Sequence, residues 1–446
     1  METKARQPQI SPLGYALATL PYSDSCVGLL RAWLGHCEEN HSLCTTNRYV
    51  VLPTRVIDVW PEDGSGHPRL FVSQGMRGRY TTLSHRWGNT PMMKTTMSNF
   101  QAFQATISLH SLPATFRDAV LVTRKLGLRY LWIDSLCIIQ DSPEDRRREI
   151  SRMSKIYESG CLNISALGAS DSHSGLFFRR RNEEAINIPE AIAGCAHRGF
   201  AIGFRPCSTT LQLCMENNEL GSRGWVFQEQ FLAPAIVHFG HGMMFWECKS
   251  CRASEANPVS PVPYDPLKNL LDEVAREQSL LIECQAHYVA WYVVVEMFSD
   301  KELTLASDKL PAISGLAQRF QRTFDTTFVA GLWYEDLHRG LLWSRYEPFG
   351  YRKRKRIPNT PSWSWISAYH RITHTFELIG EVRWQNHPVQ RVELASDVIV
   401  LDVKISKTNV SSPMKECVGF SNSRAKLFER LIGGPMCSYN QMVLDI

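Results

Sequence analysis

The sequence predicts an α/β protein in which helices cover a parallel sheet. Three apolar segments typical of strands, residues 79–88, 129–140 and 161–167, alternate with segments that have helical spacing. The order strand, helix, strand, helix, strand is typical of parallel strands joined by helical crossovers. These observations place the fold in the α/β class.

The chain is longer than one typical core, and we divide it into three regions. The α/β core is predicted at residues 76–255, after an N-terminal extension at 1–75 and before a mixed α+β C-terminal region at 256–446. The second boundary lies in NPVSPVPYDP (257–266), whose four prolines favour a linker because proline cannot continue a helix or a central strand. Beyond a mostly helical stretch, DVIVLDVKIS (397–406) alternates as a β-strand does.

The first half of the core begins with RYTTLSHRWG (79–88), a short strand that ends in polar residues. A helix is predicted over 112–128, with Pro113 in its first turn and Gly127 at its end. RYLWIDSLCIIQ (129–140) is a continuous apolar run, which favours a strand buried on both faces.

The second half of the core begins with a charged helix at 142–160, opened by Ser142 and Pro143. Its basic residues are interpreted as the solvent-exposed face of that helix. A third strand follows at 161–167, and AIVHFG (235–240) is a further strand candidate. The first three strands are predicted to form one parallel sheet.

Composition excludes several classes of protein. The longest apolar run, residues 288–295, is far shorter than the ~20 residues of a membrane-spanning helix, and the N-terminus has no signal-peptide pattern. Thirteen scattered cysteines fit a reducing compartment, so we expect a cytoplasmic protein. A net charge of +5 is small for 446 residues, and nucleic acid is not an expected partner. The signatures GxGxxG, HExxH, GxSxG and the Walker loop do not occur.

Cysteine and histidine recur with metal-like spacing in CEENHSLC, which contains Cys37, His41 and Cys44. Cys26 is a candidate for a fourth ligand. Structural zinc sites normally have two closely spaced ligand pairs, and Cys26 is ten or more residues away. We therefore expect packed thiols, and no metal site is assigned.

A second cysteine pair, Cys248 and Cys251, forms a CxxC motif with no other cysteine pair near it in the sequence. A redox role would require the motif at the start of a helix that follows a strand. Packing of the two side chains is the expected role.

Polar residues follow the strands of the predicted sheet. Ser84, His85 and Arg86 end the first strand, Asp134 interrupts the second, and residues 166–170 end the third. Ligands of open α/β sheets bind outside the carboxyl ends of the strands. This edge is the predicted site.

The segment RGWVFQEQ (223–230) places Glu229 four residues after Trp225, on the same face of a helix. Burial beside the indole would raise the pKa of Glu229 and make it usable as an acid, a base or a hydrogen-bond acceptor. Alternatively, Glu229 pairs with Arg223 or with a helix N-terminus and has a structural role.

Three blocks resemble the signature blocks of the fungal heterokaryon-incompatibility (HET) domain: YTTLSHRWG, LWIDSLCIIQDSPEDRRREISRMSKIYESG and RGWVFQEQFLAPAIVHFG. LPTRVIDV, SDKLPAISGLA, GLWYEDLHRGLLW and PSWSWIS resemble segments that accompany this domain, and the likeness covers most of residues 30–370. One departure is His85 with Arg86, where the family more often has an aromatic residue before the WG pair.

The resemblance implies a cytosolic fungal protein of non-self recognition and programmed cell death. HET domains are similar to TIR domains, so it also implies a TIR/flavodoxin-like parallel-sheet core. Some TIR domains cleave NAD with a glutamate four residues after a tryptophan, the spacing of Trp225 and Glu229. By this likeness Glu229 is the catalytic residue, NAD is the substrate and no cofactor is needed. The residues expected to bind substrate are Ser84, Arg86, Trp87, Asp134, Arg223 and Trp225.

Two other functions stay open. One is a non-enzymatic module that signals by self-association, in which the same residues hold the core together. The other is an enzyme of small-molecule metabolism on the HET scaffold, since a fold does not fix a function. The sequence shows no repeat array or nucleotide-triphosphatase motif that would act as a sensor, so a protein partner or self-association is expected.

Overall fold

The protein divides into two compact units, Met1–Tyr264 and Asp265–Ile446, and each is described by itself. The computed structural model describes the following residues: 23–44, 46, 48–62, 66–88, 91–179, 185–187, 201–203, 210–216, 218–262, 286–346, 356–374, 389–395 and 398–403.

The first unit alternates strands and helices. Its strands are β1 (Val50–Val51), β2 (Arg55–Asp58), β3 (Arg69–Val72), β4 (Arg77–Gly78), β5 (Tyr80–Ser84), β6 (Tyr130–Trp132), β7 (Leu162–Ser165), β8 (Ala185–Asn187), β9 (Ala201–Gly203), β10 (Ala235–Phe239), β11 (Met244–Cys248), β12 (Arg252–Ser254) and β13 (Asn257–Val262). Its helices are α1 (Asp24–Asn40), α2 (Phe100–Ala105), α3 (Ala114–Lys125), α4 (Asp134–Cys137), α5 (Pro143–Ile150), α6 (Met153–Ser159), α7 (Leu211–Glu216) and α8 (Gly224–Leu232).

Nine of these strands form one mixed sheet in the order β13-β12-β11-β10-β7-β5-β6-β2-β3. The four central strands β10, β7, β5 and β6 are parallel, and the outer strands are antiparallel. Numbered along the chain, the parallel strands lie in the order 2-1-3-4, which is how the flavodoxin-like order 2-1-3-4-5 begins. The α/β prediction is confirmed, and the strand order reverses between β5 and β7.

The helices cover both faces of the sheet. Right-handed crossovers place α3 on one face and α6 and α8 on the other. The contacts agree, because Phe116 of α3 packs against the His85 ring, whereas α6 and α8 pack against each other beneath the ends of β5 and β7. The end of β5 therefore faces α3 on one side of the sheet and α6 and α8 on the other.

Several predicted elements differ from the observed ones. The strand predicted at 129–140 is wrong beyond Trp132, because the chain turns into the short helix α4. The helix at 142–160 does begin with Ser142 and Pro143, but it is interrupted after Ile150 and continues as α6. Gly127 follows α3 with a φ of 73°, a conformation that suits glycine, as its predicted role as a stop requires.

The sheet includes strands on both sides of the predicted boundaries of the core. β2 and β3 precede residue 76 and pair with β6 and with each other. The proline-rich segment interpreted as a linker begins with β13, which is an edge strand of the sheet. Edge strands are the positions in a sheet that tolerate proline.

A buried ion-pair cluster joins β2 to α5. Arg55 donates to Asp145 at 2.5 Å and lies 4.0 Å from Glu149, and all three side chains are buried. Arg148 pairs with both carboxylates. Arg55 also donates to the Cys137 carbonyl at 2.6 Å, and Asp145 accepts from the Ile139 amide at 2.9 Å. Thus Arg148, interpreted from the sequence as merely solvent-exposed, belongs to a structural cluster.

The second unit is a mixture of helices and short antiparallel strand pairs. Its elements are α9 (Ala286–Ser299), α10 (Pro311–Phe324), α11 (Leu337–Gly340), β14 (Phe328–Val329), β15 (Leu332–Trp333), β16 (Trp343–Arg345), β17 (Ile372–His374), β18 (Val389–Ala395) and β19 (Val398–Val403). Trp291 packs against Phe320 and Trp333 in its core, with ring centroids 5.6 and 5.1 Å away. Among the described helices of the whole chain, none has the length and apolar character to cross a membrane.

Candidate functional site

Glu229 lies in the middle of α8, with only 6% of its surface exposed. Its carboxylate accepts a hydrogen bond from the Ser84 hydroxyl at the carboxyl end of β5. Residue 84 is the last residue of the strand, so this hydroxyl lies at the point where the strand order of the sheet reverses. The structure thus brings together Ser84 and Glu229, which are 145 positions apart in the sequence.

A chain of hydrogen bonds fixes Ser84. The Thr82 hydroxyl donates to Asn163 Oδ1 at 3.0 Å, and Asn163 Nδ2 donates to Ser84 Oγ at 2.9 Å. Thr82 and Ser84 lie on β5, and their register partners Asn163 and Ser165 lie on β7. Each bond polarises the next, which makes Ser84 a better donor to Glu229.

The surroundings of Glu229 raise its pKa to about 7. Burial is the largest cause, because the low-dielectric interior disfavours the charged form, and the charge of Asp134 acts in the same direction. The hydroxyls of Ser84 and Tyr157 and the Arg223 guanidinium oppose this shift. At neutral pH this carboxyl is therefore close to half ionised.

Tyr157 of α6 completes this side of the site. Its hydroxyl donates to the Leu83 carbonyl at 3.2 Å. Burial and the adjacent Glu229 raise the pKa of Tyr157 well above its usual value, so the phenol stays protonated. It can therefore act only as a neutral hydrogen-bonding group near the carboxyl.

A second polar group lies on the opposite face of β5, since consecutive side chains of a strand point to opposite faces. The His85 ring packs edge-on against Phe116, and its Nδ1 is 3.8 Å from Asp134 Oδ1. Asp134 accepts from Trp87 Nε1 at 2.8 Å. Burial lowers the pKa of His85 to about 4, and Arg223 contributes in the same direction, so the imidazole is neutral at pH 7. Its Nε2 is buried without a hydrogen-bond partner among the described residues.

The remaining predicted residues lie around these two groups. Arg223 precedes α8 and donates to the His85 carbonyl at 2.8 Å, so it does not form an ion pair with Glu229 in this structure. Arg86 pairs with Glu219 at the surface. Trp225 is half-buried, one helical turn before Glu229. Ser84, Asp134 and Trp87 thus hold defined positions at the strand ends, whereas Arg86 is engaged by a surface acid.

The sequence analysis missed Asn163, although a signal was present. Asn163 interrupts the apolar strand CLNISAL, and a buried amide requires hydrogen-bond partners. Tyr157 carried no such signal, because tyrosines on amphipathic helices are commonly core residues.

Polar side chains continue along the same face beyond Glu229. Ser165 is the register partner of Ser84, and its hydroxyl lies 3.1 Å from His238 Nδ1. His238 Nε2 is 3.7 Å from Glu247, which also lies 3.5 Å from Arg252. A polar row therefore crosses β5, β7, β10 and β11 beneath α6 and α8.

This polar row is enclosed. Ser84, Ser165 and His238 are each about 1% exposed or less. A small apolar recess of the first unit lies elsewhere, lined by residues of α1 and α3 with Phe177 and Phe239. Glu229, at 6% exposure, is likewise almost wholly shielded from solvent.

Chemically, the arrangement offers a carboxyl that changes ionisation near neutral pH and is held by an oriented hydroxyl. Such a group can accept a hydrogen bond from a substrate hydroxyl, stabilise a developing positive charge or transfer a proton. The described residues around it supply no second carboxylate within hydrogen-bonding distance.

Comparison with family models gives a match over the site region. Residues 80–229 match the family model described as heterokaryon incompatibility protein (HET), so this segment is a HET domain. The match begins at the first residue of β5 and ends at Glu229. No curated protein and no solved structure matches the chain.

Proposed function

We propose that this HET-domain protein acts in fungal non-self recognition and programmed cell death by hydrolysing NAD at the site of Ser84 and Glu229. The observation that carries the proposal is Glu229 itself: a buried carboxyl with a pKa of about 7, at the carboxyl ends of parallel strands. Groups with strongly shifted pKa values cluster at functional sites. The spacing of Trp225 and Glu229, shared with NAD-cleaving TIR domains, supports the choice of substrate.

The reaction requires the ionised form of Glu229. The bond between ribose C1′ and the nicotinamide nitrogen breaks, and both electrons of the bond leave with nicotinamide. Positive charge then develops on C1′ and the ring oxygen, where a carboxylate stabilises it. A water oxygen bonds to C1′ and its proton is released, which gives ADP-ribose and nicotinamide.

The other residues have supporting roles in this proposal. Ser84 holds the carboxylate in place, and Trp87 and Trp225 supply aromatic surface for the substrate. Arg86 and Arg223 supply positive charge for the pyrophosphate, with Arg86 released from Glu219. Because Glu229 and Ser84 are buried, binding of a partner or self-association opens the site, and the isolated chain has low activity.

The test is the NAD concentration over time in cells that express wild-type protein or Glu229→Gln at matched levels. We expect NAD to fall only with wild type, since loss of an electrostatic contact in the transition state costs about 100-fold or more in rate. Glu216→Gln is the matched control, because Glu216 is an exposed acid of α7 that accepts from Gln212. An equal fall of NAD with Glu229→Gln would sink the catalytic assignment.

A second candidate function is a non-enzymatic module that signals by self-association. The burial of Ser84 and Glu229 favours it, because a buried, hydrogen-bonded carboxyl also serves to fix two elements together. In that case NAD stays constant with both proteins, and cell death, if the protein causes it, persists with Glu229→Gln.

A further inference from the structure

Three thiols and one imidazole meet between the end of α1 and the turn after β11. The ligand atoms of Cys37, His41, Cys44 and Cys248 all lie within 4.8 Å of one another. His41 Nδ1 is 3.4 Å from Cys248 Sγ. A fourth thiol, that of Cys251, adjoins the group at 3.7 Å from Cys248 Sγ.

The cluster differs from the one that spacing suggests. Cys26 does not belong to it, because the Cys26 thiol donates to Glu255 at 3.2 Å. Cys248 takes the fourth position instead, although it is 207 positions from His41 in the sequence. The two cysteine motifs, each incomplete in the sequence, thus complete each other in space.

The distances suit a tetrahedral ion. Four ligands placed about 2.3 Å from a zinc ion lie about 3.8 Å from one another. The contact of Cys248 Sγ with His41 Nδ1, at 3.4 Å, is close to that edge length. Small side-chain rotations bring atoms that are within 4.8 Å to the same spacing.

The turn that carries Cys248 is built to hold a thiolate. The backbone amides of Ser250 and Cys251 both point at Cys248 Sγ, at 3.4 Å each. The Cys248 amide in turn donates to the Cys251 carbonyl at 2.9 Å, which closes the turn. Amide donors stabilise negative charge on sulfur and orient the ligand, as outer-shell groups of metal sites do.

The end of α1 also favours a cation. The C-terminus of a helix carries partial negative charge, and the last turn of α1 contains no basic residue. Cys37 lies in this last turn, and His41 caps it. A divalent ion bound there offsets the charge of the helix end and of the thiolates.

We propose that Cys37, His41, Cys44 and Cys248 bind a structural zinc ion that fastens α1 to the sheet at the turn between β11 and β12. Thiolate and imidazole ligands in a closed tetrahedral set are typical of zinc. Cys37, Cys44 and Cys248 are buried, so no ligand position is left open for catalysis. This site is independent of the proposed NAD chemistry.

A redox role fits the turn less well. Cys248 ends a strand and Cys251 precedes the next strand, so neither lies at a helix N-terminus, where thiolates are activated for exchange. Packing alone does not explain the cluster either, because simple packing does not require an imidazole nitrogen and two backbone amides to point at one sulfur.

The first test is the metal content of the full chain, purified without a histidine tag and measured by plasma mass spectrometry. We expect one zinc ion per wild-type chain, and no stoichiometric zinc in Cys37→Ser or Cys248→Ser. Cys26→Ser is the matched control on the same helix and should keep the metal. Wild-type protein without zinc, or with iron in its place, would overturn the proposal.

A second measurement keeps the proposal testable if the serine variants fail to fold. An organomercurial that modifies thiols should release zinc from folded wild-type protein, seen with a metal-sensitive dye, and should raise amide hydrogen exchange in α1. Release of no zinc, or a disulfide between Cys248 and Cys251 in protein alkylated without reductant, contradicts the proposal.

The fourth ligand is tested separately. His41→Ala should lose zinc affinity by at least about tenfold, whereas Cys251→Ser should retain the metal. The opposite result would overturn the assignment of His41 and make Cys251 the ligand.

Discussion

The first unit buries carboxylates in two places, and their partners differ. Asp145 and Glu149 of α5 are held by Arg55 and Arg148, with a 2.5 Å contact from Arg55 to Asp145. Glu229 of α8 is held by a serine hydroxyl. The exposed fractions are similar, at 5%, 1% and 6%. Burial alone therefore does not distinguish a structural acid from a reactive one.

The difference lies in whether charge is balanced. The charges of Asp145 and Glu149 are balanced by adjacent guanidinium groups, so these two carboxylates are suited to hold β2 against α5. A hydroxyl stabilises a carboxylate only in part, so burial still raises the pKa of Glu229 to about 7. The ion-pair cluster stabilises the fold, whereas the contact of Ser84 with Glu229 leaves a carboxyl that can change ionisation near neutral pH.

The sharpest test of this contrast is Arg55→Met, which leaves two carboxylates buried without their central cation. We expect a loss of about 3 to 5 kcal/mol in the free energy of unfolding, because breaking a buried pair strands the remaining charge. Chemical denaturation at pH 7 measures it. Arg152→Met is the matched control, since Arg152 is 56% exposed and 3.8 Å from Glu149. A similar small loss in both variants would show that the cluster does not lock the fold.

Glu229→Gln is expected to raise the free energy of unfolding, which is the opposite of the effect of Arg55→Met. The folded-state pKa of Glu229 is about 7 against 4.5 for the unfolded chain, so the native state binds the proton more tightly. Its ionisation then costs stability as pH rises from 4.5, and the full cost is reached above pH 7. The variant should gain up to about 3 kcal/mol at pH 8 and nothing from this source at pH 4. Equal effects at both pH values, measured by thermal unfolding, would contradict the raised pKa.

Ser84→Ala is expected to have a smaller effect, a shift in the pKa of Glu229. The Ser84 hydroxyl favours the ionised form of Glu229, so its loss should raise the pKa of this carboxyl by about one unit. If NAD cleavage requires the carboxylate, the wild-type rate rises about tenfold per pH unit below 7 and levels off above it. In Ser84→Ala the levelling should move to higher pH, while Thr323→Ala, a hydroxyl deletion on α10, should leave the profile unchanged. An unshifted profile would contradict the role of Ser84.

The sequence predicted the parts of the fold that depend on local patterns. The sequence analysis located β5, α3, β7 and β10, because apolar runs and the stop signal at Gly127 are patterns of consecutive residues. The strand predicted through residues 133–140 was wrong, because α4 also buries its apolar side chains and a short apolar run does not distinguish the two states.

The site was predicted only in part, because its contacts join residues that are far apart in the sequence. Glu229 and Ser84 were named from a short motif and from the position of strand ends, but their contact spans 145 positions. Asn163 and Tyr157 gained their roles from the register of β5 with β7 and from the packing of α6. The cysteine cluster likewise required two segments that the sequence keeps far apart.

The edge strands of the nine-stranded sheet, β13 and β3, decide whether a second chain can add a strand to it. A free edge strand is a template on which a second chain can add its own strand, and uncontrolled addition leads to fibres. At one margin, β13 contains Pro258 and Pro261, which lack the amide donors that such addition requires. At the other margin, α2 packs against β3. Both edge strands of the described sheet therefore disfavour the addition of a strand from a second chain.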